Sequence, residues 1–438
     1  MKIKIVSIAL GFFFICSCTH SLPLSGYWIG SMEMKGKTVD LSIDFNMETF
    51  SSYDLMIVNT PISHLKYKQG TIRFSHNVFD ADVNFDGAIK NDTISGSVNI
   101  PGMPPELKCS FELTRISDFP PQKPYVVESV FVAGVDEKIA ADIYKPKSDI
   151  PHPALVLMHG SSGYLKNNLA FYADFFAVQG FEVLIFDKRG NGLSRGNSIA
   201  ATYENLAEDV IACLEAMQKR ASVDKAKIGL WGISQGGMLL PFVASKTNIP
   251  SFLIAVSPDV NGAYEAAAFS DSLRLINLGN SPADGHIAAE SHRRLAEMIR
   301  EGKSYKKVES YISENARQYD FMNQTGLYSN AIIDEEHFEG LYWSGRKYNF
   351  CKDWKNLNIP TLCIFGEDDA FVDPVSNEGI LKRFNNPKID TKMFPQANHV
   401  LKKTFNPVKY PDFDWPRVAP GYLDYVKTWI GEYKNKSK

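Results

Sequence analysis

Residues 226–245 read AKIGLWGISQGGMLLPFVAS. Lys227–Trp231 fits a short buried strand, Gly232 to Gly236 a sharp turn, and Gly237 leads into an apolar run of helical length. A strand running straight into a turn, with a helix leaving straight out of it, strains a serine backbone and presents its hydroxyl. The flanking glycines remove side chains that would collide there. Ser234 is therefore the candidate nucleophile. A second Gly-x-Ser-x-Gly, GLSRG at 192–196, follows the polar loop DKRGN and precedes NSIAATYEN. It lacks both the entering strand and the apolar helix, so Ser194 reads as a loop residue.

Working outward, strands and helices alternate. After two leading strands, Val127–Ala133 and Ile139–Tyr144, the runs ALVLMHG, FEVLIFD, KIGLWG, FLIAVS and TLCIFG each fit a buried parallel strand. Between them ENLAEDVIACLEAMQKR sets Leu206, Val210, Cys213, Leu214 and Met217 on one helix face. This alternation predicts a doubly wound, mostly parallel α/β sheet, with functional residues at the C-terminal strand ends.

Residues 24–117 differ. Val39, Leu41, Ile43, Phe45 and Met47 recur at period two, as do Phe79, Ala81, Val83 and Phe85, and then Leu107, Cys109, Phe111 and Leu113. Such runs, separated by turn signals, predict a small all-β barrel or sandwich. The prolines of DFPPQKP exclude a sheet interior and mark a linker at 118–125, leaving 126–435 to the α/β domain.

A serine nucleophile needs a base, itself oriented by an acid, and this topology orders them Ser, Asp or Glu, His. GEDDAFVDP follows the strand TLCIFG and carries Glu367, Asp368, Asp369 and Asp373. His399, in FPQANHVL, is the last histidine of the chain, so the order leaves it as the base. Two backbone N–H groups must hold the developing oxyanion. One is expected from Gln235, the other from HGSSG at 159–163, with Ser161 first and Ser162 second. His159 precedes the nucleophile and reads as shaping that loop.

Together these residues resemble the α/β-hydrolases, and more specifically a bacterial serine esterase family with an N-terminal β domain. The resemblance runs from about 125 to 435 through HGSSG, DKRGNGLSRG, GISQGG, GEDDAFVDP and NHVL. It implies an α/β-hydrolase fold with a helical cap, and it makes DKRGNGLSRG the loop after the fourth strand. In the acidic turn it matches Asp369, with Asp368 and Asp373 as alternatives. GYWIGSMEM and FDGAIKNDTISGSVNI resemble the β domain that precedes such esterases, while HGSSGYLKN departs from their Gly-Ser-Gly-Pro-like loop. About 100 residues separate FLIAVS from TLCIFG, far more than a crossover needs, so a cap is expected at about 260–355, with Phe338, Tyr342 and Trp343 either lining the pocket or holding the cap to the body. The implied activity is hydrolysis of small-molecule carboxylic esters through an acyl-enzyme, with no cofactor and no metal. The alternative is a serine aminopeptidase, for which Glu335, Glu336 and Glu339 would meet the free amine.

Composition narrows the class. A chain of 438 residues leads to an expectation of about two domains. A net charge of −3 without a basic run argues against a nucleic-acid partner. At the N-terminus, Lys2 and Lys4 precede the apolar run Ile5 to Cys16, and ICSCTH resembles a bacterial lipobox. That resemblance implies a signal peptide at 1–17, lipidation of Cys18 and a membrane anchor in the cell envelope. Thr19, where an Asp would retain the protein at the inner membrane, points to the outer one. Cys109, Cys213, Cys351 and Cys363 lack zinc-ligand spacing, and His286 and His292, six apart, do not share a helix face.

Overall fold

The computed structural model describes residues 24–78, 81–103, 107–135, 137–161, 165–329, 345–404 and 412–436. Cys18, Ser162, Glu335, Glu336, Phe338, Glu339, Tyr342 and Trp343 lie outside them. Two compact units part between Pro120 and Pro121, with the short pieces Lys37–Asp40 and Ser51–Asn59 grouping with the second.

The first region holds β1 (Tyr27–Met34), β2 (Lys37–Asp44), β3 (Thr49–Ser52), β4 (Ile57–Pro61), β5 (Ser63–Lys68), β6 (Thr71–Val78), β7 (Ala81–Lys90), β8 (Thr93–Asn99) and β9 (Cys109–Ser117). They form one sheet in the order β4-β3-β2-β1-β9-β8-β7-β6-β5. Thr60 of β4, at one end of that order, meets His76 of β6, next to the other end, at 2.6 Å, which curls the sheet into a barrel. Alternation drives the burial: Cys109, Phe111 and Leu113 are buried while their neighbours face out. Phe45, Phe50, Phe74, Phe85 and Phe111 fill the interior, Phe74 and Phe85 stacked at 4.5 Å. Met47 departs from the expected alternation. β2 ends at Asp44, whose carboxylate accepts the N–H of Asn46 (2.9 Å) and Met47 (3.4 Å), and this turn leaves Met47 72% exposed.

The second sheet comprises β10 (Tyr125–Ala133), β11 (Lys138–Pro146), β12 (His152–Met158), β13 (Glu182–Phe186), β14 (Val223–Ile233), β15 (Phe252–Val256), β16 (Thr361–Gly366) and β17 (Ile389–Phe394). Their order is β10-β11-β13-β12-β14-β15-β16-β17, antiparallel as far as the β11–β13 pair and parallel from β13 onward. β13, β15 and β16 are buried throughout, as strands covered on both faces must be. On one face, α2 (Tyr203–Gln218) and α3 (Gln235–Lys246) pack with Leu206, Val210, Leu239 and Val243 inward. On the other, α1 (Ala170–Val178) and the C-terminal helix Tyr422–Lys436 bury Phe176, Tyr422 and Val426. This is the α/β-hydrolase fold preceded by an all-β barrel.

After β15 the chain leaves the sheet for α4 (Ala263–Asn277), α5 (Pro282–Arg300), α6 (Tyr305–Gln318) and α7 (Gly326–Ser329). These share their own apolar core of Leu275, Leu295, Ile299, Val308, Ile312 and Met322. The Asp271 carboxylate ties α4 to α5 and α7, pairing with His292 at 2.7 Å and accepting the N–H of Gly326 (2.7 Å) and Leu327 (3.1 Å). α8 (Cys351–Lys355) lies within the expected cap, yet Trp354 and the preceding Phe350 bury in the core of the sheet, so the insertion returns to the body before α8. The chain closes through α9 (Pro374–Phe384) and α10 (Tyr422–Lys436).

Candidate active site

The parallel strands end along one edge, and the polar residues of interest follow those ends. β12 leads to His159 and Ser161, β13 to Lys188, β14 to Ser234, β15 to Ser257, β16 to Asp369 and β17 to His399.

Ser234 sits between β14 and α3 with φ +55° and ψ −122°. A non-glycine residue held there costs of order 1–3 kcal/mol and persists only where its surroundings enforce it. Its N–H donates to Val256 O at 2.8 Å and its carbonyl accepts Met238 N at 2.8 Å. The glycines follow from close approach. A Cβ at Gly232 would lie 2.6 Å from the Gly236 carbonyl carbon, and one at Gly236 would lie 2.5 Å from Met158 O. The turn is thus wedged against the end of β12.

His399 is tied to the same strand end. Ser257, itself at φ +46°, donates its hydroxyl to His399 O at 2.8 Å, and its neighbour Val256 holds Ser234. The His399 Nδ1 meets Asp369 Oδ2 at 2.7 Å. Asp369 is buried, and its Oδ1 accepts the N–H of Phe371 (2.8 Å) and Val372 (3.0 Å). Its neighbours have other partners. Asp373 caps α9 through Ser376 N at 3.0 Å, and Asp368 sends its N–H to Ala397 O at 2.9 Å. The ring of Phe371 lies 5.2 Å from that of His399.

Gln235 opens α3, so its N–H is among those a helix N-terminus leaves unsatisfied. Ser161 is an exposed bend residue just past β12. Between them stands a residue the sequence reading did not single out. Lys188, buried, donates from Nζ to Gly160 O at 2.9 Å and to Gln235 Oε1 at 2.8 Å. Burial lowers its amine to about 8. The one signal available was its position, a charged residue directly after a buried strand at the edge where sites form. His159 donates a ring N–H to Phe186 O. Burial and the Lys188 charge push it down to about 3, against the opposing effect of that bond, so it is a neutral strand-to-strand staple.

Ser194 is buried in the loop after β13. It donates to Asp187 O at 2.7 Å and accepts Ala140 N at 2.9 Å. In the same loop Asp187 accepts Lys166 N (2.8 Å) and Leu193 N (3.0 Å), and Arg189 holds Asp209 at 2.7 and 2.8 Å. Elsewhere Cys109, Cys213 and Cys363 are buried free thiols, and Cys351 is a partly buried one.

With this geometry in place, comparisons give the chain its relatives. Residues 149–403 match the family described as serine aminopeptidase, S33. An uncharacterised 31.7 kDa protein of Escherichia coli, from the traX-finO intergenic region, is 35% identical over 103 residues, covering 24% of this chain and 36% of that protein. The quorum-quenching protein AidA of Acinetobacter baumannii is 26% identical over 155 residues, covering 35% and 51%. The chain thus spans about a third to a half of the length of these curated relatives. The solved esterase Pf2001 of Pyrococcus furiosus aligns with a TM-score of 0.43 at 16% identity, covering 71% of this chain and 93% of that one.

Proposed function

The chain belongs to the serine aminopeptidase S33 family of α/β-hydrolases, and from that membership we propose that it is a serine hydrolase acting on carboxylic esters. The observation that carries this reading is the Asp369–His399 pair, fastened through Ser257 to the strand end that also holds the strained Ser234. Ser234 Oγ attacks the ester carbonyl carbon while His399 Nε2, the ring nitrogen not committed to Asp369, takes its proton. The N–H groups of Gln235 and Ser161 hold the oxyanion. Collapse expels the alcohol, which receives that proton, and leaves an acyl-Ser234. Water, deprotonated by the same histidine, then releases the acid.

The family description favours one other reading, cleavage of a residue from a peptide amino terminus by the same machinery. Turnover of p-nitrophenyl esters from acetate to decanoate, beside amino-acid p-nitroanilides, separates the two. Esters are expected to be the better substrates, and the best chain length sizes the acyl pocket. Ser234→Ala is expected to lower kcat by at least about 10³-fold and to abolish fluorophosphonate labelling. A Ser234→Ala protein that keeps its turnover sinks the serine mechanism, and faster p-nitroanilide hydrolysis moves the substrate class to peptides.

A further inference from the structure

We propose that Lys188 is the positioning residue of the oxyanion hole, its buried ammonium fixing the Gly160–Ser161 peptide and the Gln235 side chain so that both N–H donors converge on one point. This rests on the serine-hydrolase reading above.

The two donors come from separate elements, Ser161 from the loop after β12 and Gln235 from the start of α3. Lys188, from the loop after β13, bonds to both: Gly160 O at 2.9 Å and Gln235 Oε1 at 2.8 Å. The first bond matters because of peptide geometry. In a trans peptide the carbonyl and the following N–H point in opposite directions, and the described chain has no cis bonds. Drawing Gly160 O toward the ammonium therefore turns the Ser161 N–H to the opposite side. A charge-assisted bond at the carbonyl also polarises the peptide and makes that N–H a stronger donor.

The second bond pins the residue that supplies the other donor, and the Tyr203 hydroxyl meets the same Gln235 side chain. Gly160 O and Gln235 Oε1 are both neutral acceptors. The ring beside the ammonium, His159, is neutral too. Burying an amine is unfavourable, as its lowered proton affinity shows, and packing alone would be better served by an apolar side chain.

The test uses Lys188→Met in the full chain, assayed with the best p-nitrophenyl ester and with a matching trifluoromethyl ketone. Serine adds to this ketone to form an oxyanionic hemiketal. kcat is expected to fall about 10²-fold with KM within about twofold of wild type, the pattern of an interaction made only in the transition state. Affinity for the ketone should fall by a similar factor. A kcat within about twofold of wild type, a KM that rises as kcat falls, or an unchanged ketone affinity each overturns the proposal. Lys188→Gln is read by the same criteria. If neither variant folds, Lys188 holds the fold rather than the site, and the proposal is overturned as well. Ser234→Ala runs alongside: its full activity sinks the serine-hydrolase reading itself. An inactive Ser234→Ala beside an unaffected Lys188→Met sinks only the role of the lysine.

Discussion

Three hydrogen bonds converge on the Asp369 carboxylate, one from the His399 ring and two from backbone N–H groups. They leave the imidazole with its proton on Nδ1 and Nε2 free to accept one. Asp369→Asn keeps the shape but offers an N–H where an acceptor is needed, so the ring adopts the other tautomer. The expected loss in kcat is about 10⁴-fold with little change in KM, measured by steady-state ester hydrolysis. More than about a tenth of wild-type turnover would remove Asp369 from the relay. The positions of Ser234 at the turn after β14 and of His399 beyond β17 were legible because topology fixes their order along the chain, and only one histidine follows the acidic turn. The acid was less so, since one residue of slippage exchanges Asp368 with Asp369, and only the fold shows which carboxylate meets the ring. Lys188 was illegible for another reason. Its bonds to the Gly160 carbonyl and the Gln235 amide side chain leave no spacing pattern in the sequence.

At the scale of elements, two Gly-x-Ser-x-Gly segments end in different structures. Ser234 sits at the turn of a strand–turn–helix unit with φ +55°, whereas Ser194 is spent on Asp187 O and Ala140 N. Ser194→Ala orphans the buried Ala140 N–H of β11 and is expected to cost about 1–3 kcal/mol. Urea unfolding followed by tryptophan fluorescence measures this. Fluorophosphonate labelling of Ser234 should persist in the same variant, and losing it while stability stays unchanged would give Ser194 a chemical role instead. Context in the sequence separated the two serines because a strand and an apolar helix have strong periodic signatures. Other elements lack them. α4 buries only Ala268, Asp271 and Leu275, and a buried aspartate interrupts the apolar stripe by which a helix is recognised. β4 and β5 carry few fully buried positions, so their alternation is weak.

The molecule as a whole joins a barrel to a hydrolase sheet, and the proline-rich stretch announced that change of architecture more plainly than any single strand did. Whether barrel or sandwich was not legible, because closure depends on contacts between strands that lie far apart in the sheet order. His76 makes such a contact, meeting Thr60 at 2.6 Å and stacking on Phe50 at 4.2 Å. Burial lowers its imidazole from 6.5 to about 4, against the pull of Asp82. Since the native value lies below the unfolded one, the unfolded state binds more protons between the two. The contribution of His76 is therefore fully present above about pH 6.5 and is lost as the pH falls toward 4, roughly 3 kcal/mol in all. By pH 5 this amounts to about 2 kcal/mol, or about a 30-fold change in opening. Hydrogen exchange of the β3, β4 and β6 amides, corrected for intrinsic rates, should lose about that much protection between pH 7 and 5. His76→Phe keeps the stack on Phe50 and gives up the Thr60 bond. It should lower protection at pH 7 yet flatten its decline toward pH 5, because the group that titrates is gone. An equally steep decline in the variant would place the acid sensitivity of the barrel elsewhere.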